Sequence, residues 1–143
     1  MAEDNKRISR RIVEEIFGEG RMELADELLT ADSLGHDPAL PEPIRGPEGL
    51  KQAARGYRAG FPDLHIRVDE QCAEGNLVCT RWTATGTHSG EFWGTLPTGK
   101  QATVTGMTMD RIENGRVAES WTNWDALGLM QQLGIVTPST APA

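Results

Sequence analysis

The sequence predicts an α+β domain in which helices come first and a strongly curved antiparallel sheet follows. Three observations lead there. Apolar residues recur at helical spacing as far as Phe61, and beyond Pro62 the period drops to two. Two hairpin signals, Gly75-Asn76 and Asn114-Gly115, punctuate the second half. Gly86, Gly90, Gly94 and Gly106 interrupt the strands, so the sheet can bend over the helices and enclose a pocket.

Ile8, Ile12, Val13, Ile16 and Phe17 form the apolar stripe of a first helix, which Gly18 and Gly20 end. Met22, Ala25, Leu28 and Leu29 make a short second helix. Residues 32–46, with Pro38, Pro41 and Pro43, read as a loop carrying His36 and Asp37. Pro47 opens a third helix at a position where its missing N–H costs no hydrogen bond. Leu50, Ala53, Ala54, Tyr57 and Phe61 line its apolar face, and Pro62 ends it. Leu64, Ile66 and Val68 then alternate with His65, Arg67 and Asp69 in a half-buried strand. Residues 77–88 form a long strand, 90–99 a bent connection, and 103–112 and 117–124 the last two strands. Residues 125–133 close the fold as a short helix. One domain is expected over residues 1–136, with a disordered tail at 137–143.

A length of 143 residues is that of one domain. Hydrophobic residues at 38% and charged residues at 24% exclude a disordered chain or a coiled coil. A net charge of −7 without a basic stripe argues against nucleic acid and anionic membrane surfaces. No apolar run approaches the length of a membrane span, and the first residues lack signal-peptide character, so a cytoplasmic location is expected. Cys72 and Cys79 sit opposite each other across the Gly75-Asn76 turn, in a hydrogen-bonded register whose spacing suits a disulfide poorly. Two buried free thiols are expected. With three scattered histidines they make no zinc-site spacing.

Candidate chemistry concentrates late in the chain, where Trp82, Phe92, Trp93, Trp121 and Trp124 gather most of the few aromatic rings. In Trp121-Thr122-Asn123-Trp124-Asp125, strand alternation puts Trp121, Asn123 and Asp125 on one face and Thr122 and Trp124 on the other. Asp125, at the mouth of a curved sheet, suits a general acid/base. It also directly precedes a helix and suits an N-cap, which favours the ionised form. His36 and His88 read either as hydrogen-bonded structural groups or as partners in catalysis. His88 keeps the parity of Val78, Thr80, Trp82 and Ala84. Met107, Met109 and Arg111 share one face, with the arginine either inside a pocket or at an edge. The chain has no Gly-x-Ser-x-Gly elbow, dinucleotide fingerprint, phosphate loop or activated cysteine. An enzyme with this sequence is expected to work by proton transfer, without cofactor or covalent intermediate.

Several short segments carry a family likeness in their order and spacing. They are His36-Asp37-Pro38, Gly46-Pro47-Glu48-Gly49, Phe61-Pro62-Asp63-Leu64, Arg81-Trp82-Thr83 and Gly86-Thr87-His88-Ser89-Gly90-Glu91-Phe92. Pro97-Thr98-Gly99, Arg111-Ile112-Glu113-Asn114-Gly115 and the ending Trp121 to Asp125, with Gln132-Leu133-Gly134 behind it, complete the series. Over residues 8–134 the chain resembles a SnoaL-like polyketide cyclase of the nuclear-transport-factor-2-like superfamily. The resemblance implies a cone-shaped α+β barrel, usually a homodimer or homotetramer through the outer sheet face. It also implies a metal-free intramolecular aldol condensation that closes a ring in an aromatic polyketide ester. By position Asp125 resembles the family's acid/base aspartate, which tilts its reading from cap toward catalyst, with His36 and His88 in the pocket. Asn123 would then help orient the substrate, and Trp82, Trp93 and Trp121 would form apolar walls. Phe61, Met107, Met109 and Arg111 complete the expected binding set. The expected ligand is a small hydrophobic carbonyl compound, aromatic or polycyclic, with no metal, cofactor, nucleic acid or membrane involved. A non-catalytic binding domain, another proton-transfer enzyme (isomerase or hydrolase), and a purely structural dimerisation module are the alternatives. Two departures stand out. Tyr57 is the only tyrosine and its helical period places it in core packing, unlike the oxyanion tyrosine of ketosteroid isomerases. Asp110 directly precedes Arg111, so the arginine–aspartate arrangement of limonene-epoxide-hydrolase-like proteins is not reproduced.

Overall fold

Helix α1 (Ala2–Arg11) opens the chain with Glu3 and Asp4 in its first turn, matching the helix dipole at its N-terminus. It runs directly into a π-helical stretch, Ile12–Phe17, that buries Ile12, Val13 and Ile16. The computed structural model describes residues 2–137; the expectation for the tail lies outside the described residues from Pro138 onward. A 3₁₀ turn (Met22–Leu24) and helix α2 (Ala25–Leu28) lead into strand β1 (Leu29–His36). Strand β2 (Ile44–Arg45) and helix α3 (Gly46–Gly60) follow, with Pro47 at the start of the helix. Then come β3 (His65–Glu74), β4 (Leu77–Thr87), β5 (Gln101–Glu113), β6 (Arg116–Trp124) and helix α4 (Ala126–Gln132). Among the described residues no helix is long and apolar enough to cross a membrane.

The six strands form one curved, unclosed sheet in the order β2-β1-β6-β5-β4-β3. Every neighbouring pair is antiparallel except β1 with β6, which run parallel. Residues 29–36 therefore depart from the sequence reading, which ended a helix at Leu29 and began a loop at residue 32. Their residues do not alternate cleanly, and the register slips between Leu29 and Leu34, so no period-two signal marks the strand. The cysteines are unbridged as expected and face each other in register. They are not both buried, however: Cys72 is exposed and Cys79 half-buried, because this pair faces the outer side of the sheet while the next pair, Ala73 and Val78, faces the helices.

The side of the sheet that faces the helices is set by register. Val78, Thr80, Trp82 and Ala84 of β4 are buried, as are Ala102, Gly106, Asp110 and Ile112 of β5. On β6 the phase changes: Val117 and Ala118 are both buried, and the pairing slips between Arg111 and Ile112. After that slip the even-numbered residues Ser120, Thr122 and Trp124 face inward. Trp121 (39% exposed), Met109 (40%) and Met107 (51%) face out. Simple alternation from Val117 would have put Trp121 and Asn123 inside, and the bulge reverses it.

Gly106 holds two indoles apart. It pairs with Trp82 on one side and Trp124 on the other. A Cβ built there would lie 2.3 Å from Trp82 Cζ2 and 2.8 Å from Trp124 Cβ. Gly106→Ala is expected to cost about 1–3 kcal/mol through overpacking. Gly56→Ala, inside α3 with nothing within 4 Å, is the matched control. It is expected to gain about 0.5–1 kcal/mol, and urea denaturation of the two variants measures both.

Candidate active site

Between the inner sheet face and the helices lies a cavity of about 150 Å³. That is the size at which an apolar void accepts one benzene-sized ring. Its walls are mainly apolar, with Trp82, Ile66, Val104, Phe61, Phe92 and Leu129 among them. Against that background two carboxylates line it, Asp37 and Asp110.

Asp37 follows the last residue of β1 and is held by three segments of chain. Its Oδ2 accepts the Tyr57 hydroxyl of α3 at 2.8 Å. Trp124 Nε1, at the end of β6, donates to both of its oxygens at 3.1 and 3.3 Å. The Ala39 backbone N–H donates to Oδ1 at 2.9 Å. Burial, and then the charge of Asp37, push the Tyr57 phenol well above its ordinary value, so it stays a neutral donor. Tyr57 also packs against Phe92 and Trp124, so it is more than the core filler its helical period indicated.

Asp110 is different. It lies on β5 between Val78 of β4 and Ser120 of β6 and is only 3% exposed. Burial pushes its carboxyl up to about 6. The neighbouring Ser9 hydroxyl opposes that shift but makes no hydrogen bond of good geometry. The next inward residue on β5, Thr108, is fully engaged: it meets the Thr122 hydroxyl at 2.9 Å and accepts Trp82 Nε1 at 3.1 Å.

The structure brings some of the sequence-derived candidates to this cavity and leaves others outside. His36, Phe61 and Trp82 line it. His36 Nε2 meets Glu119 Oε2 at 2.8 Å, and its ring stacks on Trp121 with centroids 5.8 Å apart. The hydrogen bond from His36, followed by that from Arg111, holds the Glu119 carboxyl below its ordinary value. His88 is fully buried against Phe61, its Nδ1 3.1 Å from Thr98 Oγ1, and is not part of the cavity wall. Trp93 (45% exposed) stacks on Phe92 and leans toward Trp124. Met107, Met109, Trp121 and Asn123 sit on the exposed outer face, a consequence of the parity change on β6 and of the even-numbered inner face of β5. Arg111 is half-buried beside them and pairs with Glu113 and Glu119. Asp125 accepts the Gly128 N–H at 2.8 Å and caps α4, outside the cavity wall. Asp37, Tyr57 and Asp110, which line the cavity, were not ranked as site residues by sequence. The inward run Ala102, Val104, Gly106 on β5 was the signal that would have pointed to Asp110. Among the described residues no group of three or more His, Cys, Asp or Glu side chains is placed to hold a metal ion.

The family model for SnoaL-like polyketide cyclases matches residues 7–133. The chain belongs to the SnoaL-like polyketide cyclase family. Similar solved structures bear this out. IdmH, a candidate polyketide cyclase from Streptomyces antibioticus, is 34% identical with a TM-score of 0.79, covering 92% of this chain and 99% of that one. A candidate polyketide cyclase from Acidithiobacillus ferrooxidans is 29% identical with a TM-score of 0.81, covering 92% and 95%. A candidate SnoaL-like polyketide cyclase from Jannaschia sp. CCS1, at 24% identity, shares the fold with a TM-score of 0.85 over 96% and 95% of the two chains. A comparison with curated protein sequences gives no match. In this SnoaL-like member the aspartate expected to act by position, Asp125, is therefore a helix cap, while two other aspartates line the cavity.

The raised value of Asp110 has a defined sign in stability. Folded Asp110 titrates near 6 and an unfolded aspartate near 4, so its penalty is absent at low pH and grows as pH rises through that window. Asp110→Asn removes the titration. Relative to wild type, the variant is expected to gain on the order of 3 kcal/mol between pH 4 and pH 7. Urea denaturation of both proteins across that range measures the difference; a gap that does not change with pH contradicts the assignment.

Proposed function

We propose that this SnoaL-like protein is an acid–base enzyme of the polyketide cyclase type, acting on a small hydrophobic carbonyl compound, with Asp37 carrying the proton. The observation behind this reading is the Asp37 carboxylate itself: an anion fixed by Tyr57, Trp124 and the Ala39 N–H on the wall of an apolar cavity. A base must be ionised, held in one orientation and within reach of its proton. Three donated hydrogen bonds supply the orientation, and the place on the cavity wall supplies the reach. Asp125 meets neither the burial nor the reach, because Gly128 engages it at the start of α4.

In such a reaction Asp37 removes a proton from a carbon next to a carbonyl. The resulting enolate carbon attacks a second carbonyl in the same molecule, forming the carbon–carbon bond. The new alkoxide oxygen takes up a proton, and Asp37 returns to its ionised form. Tyr57, kept neutral by its surroundings, holds the carboxylate through each turnover. The aromatic walls exclude water from the enolate, which would otherwise be reprotonated before it reacts.

The first half of this chemistry is measurable without knowing the natural substrate. Acetophenone in heavy water reports proton removal by loss of its methyl signal in proton NMR. The wild-type protein is expected to accelerate that exchange over buffer, and Asp37→Asn to lower the rate by about 10²–10⁴ with an unchanged circular dichroism spectrum. Asp125→Asn is expected to stay within a few-fold of wild type. Equal rates for wild type and Asp37→Asn, or a wild-type rate no faster than buffer, would remove Asp37 from this role.

A further inference from the structure

The outer face of the sheet, on the side away from the cavity, carries a row of sulfur. Register sets it: Cys72 of β3 pairs with Cys79 of β4, and Cys79 pairs in turn with Met109 of β5. All three side chains point away from the helices, because their chain neighbours Ala73, Val78 and Asp110 turn inward. Cys72 is exposed, Cys79 half-buried and Met109 40% exposed, so a dissolved ion can reach this row.

The rows on either side are different in kind. On one, Arg81 of β4 is salt-bridged to Glu70 of β3; on the other, Arg111 of β5 pairs with Glu119 of β6. Between them Cys72, Cys79 and Met109, with Trp121 of β6 next in register, make an uncharged stripe. The cysteines are unbridged. Burial, followed by the charge of Cys72, raises the Cys79 thiol above its ordinary value, and Cys72 also acts on it as a hydrogen-bond partner. Two thiols thus meet across the strands, and Cys79 keeps its proton until a stronger partner takes the sulfur.

The spacing suits one shared ion. Directly opposed side chains on neighbouring strands have Cβ atoms about 4.5–5.5 Å apart. Metal–sulfur bonds of about 2.3 Å place two sulfurs on one ion about 4 Å from each other, which the cysteines reach by side-chain rotation. Methionine is unbranched and has three rotatable bonds, so Met109 can lean over Cys79 to the same point. Zinc asks for four nitrogen or sulfur ligands, which this row does not offer. Two thiolates and a thioether are instead the soft set that selects Cu(I).

We propose that Cys72, Cys79 and Met109 form a surface site for one monovalent soft cation, Cu(I), separate from the cavity. As the ion binds, the two thiols give their protons to solvent and the thiolate sulfurs become its main ligands. The Met109 thioether is the third. Copper stays Cu(I) throughout, and no disulfide forms. The claim does not depend on the reading of Asp37.

Cu(I), added without oxygen to the reduced protein against a coloured Cu(I) chelator, gives stoichiometry and affinity. One ion per chain is expected, and Zn(II) in large excess is expected to leave it in place. With methionine methyl groups labelled for NMR, the Met109 signal is expected to move on binding. That of Met107, also on the outer face but opposite Arg81, is expected to stay. Met109→Leu keeps the volume and is expected to weaken binding about tenfold. Cys72→Ser and Cys79→Ser are each expected to lose the ion to the chelator, with circular dichroism as the check on folding. Asp37→Asn is expected to bind as wild type does. A Met109 methyl signal that does not move, wild-type affinity in Met109→Leu, or one ion shared by two chains overturns the site.

Discussion

The phase of the β5–β6 hairpin decides what this molecule can do. Asn114 and Gly115 both take positive φ, 50° and 79°, the pair of left-handed residues that a tight two-residue turn demands. The turn joins Glu113 to Arg116, and the bulge just beyond it sets which residues of β6 meet the helices. A strand slipped by one residue would turn every side chain over. On β6, Thr122 and Trp124 would go to solvent, and Trp121 and Asn123 would fill the interior. The cavity is polar at chosen points because one extra residue near Ala118 puts Thr122 and Trp124 on the inner side.

That same bulge marks the boundary of what the sequence made legible. The three helical regions before residue 61, the change of period after Pro62, both hairpins and the closing helix were readable because each rests on a local pattern. Strand β1 was not, since a parallel partner some 85 positions away leaves no imprint on the residues 29–36 themselves. His36, Phe61 and Trp82, named from the sequence, line the cavity. Asp37 was in view only as part of a loop motif, because its partners Tyr57 and Trp124 lie 20 and 87 positions away. Asp110 entered the sequence reading only as the residue directly before Arg111; strand alternation turns Arg111 out to Glu119 and Asp110 in. The family likeness pointed to Asp125 by position, whereas the local N-cap pattern named the job it does in the structure.

The two cavity aspartates show how one side chain type is given different work by its surroundings. Asp37 is surrounded by donors, each from a different part of the chain, and so ties β1, α3 and β6 together as it is held. Asp110 lies among apolar neighbours with Ser9 and Ser120 beside it, and its burial stands as a cost in the folded state. A carboxylate kept in that condition is a liability to folding. Such groups concentrate where a protein binds or reacts, since stability alone would replace them with an apolar residue. Gly106 makes a comparable concession, giving up a side chain so that two indoles can share one stretch of wall.

The split of the indoles between the two sides of the sheet also gives the molecule two optical populations. Trp82 and Trp124 look onto the cavity, Trp82 from a buried position, and their emission responds to whatever occupies it. Trp93 and Trp121 are open to water, so a dissolved quencher reaches them first. Trp121 lies stacked on His36, which itself lines the cavity. Iodide, by silencing the outer pair, leaves the inner pair to report the interior of the native protein without any label.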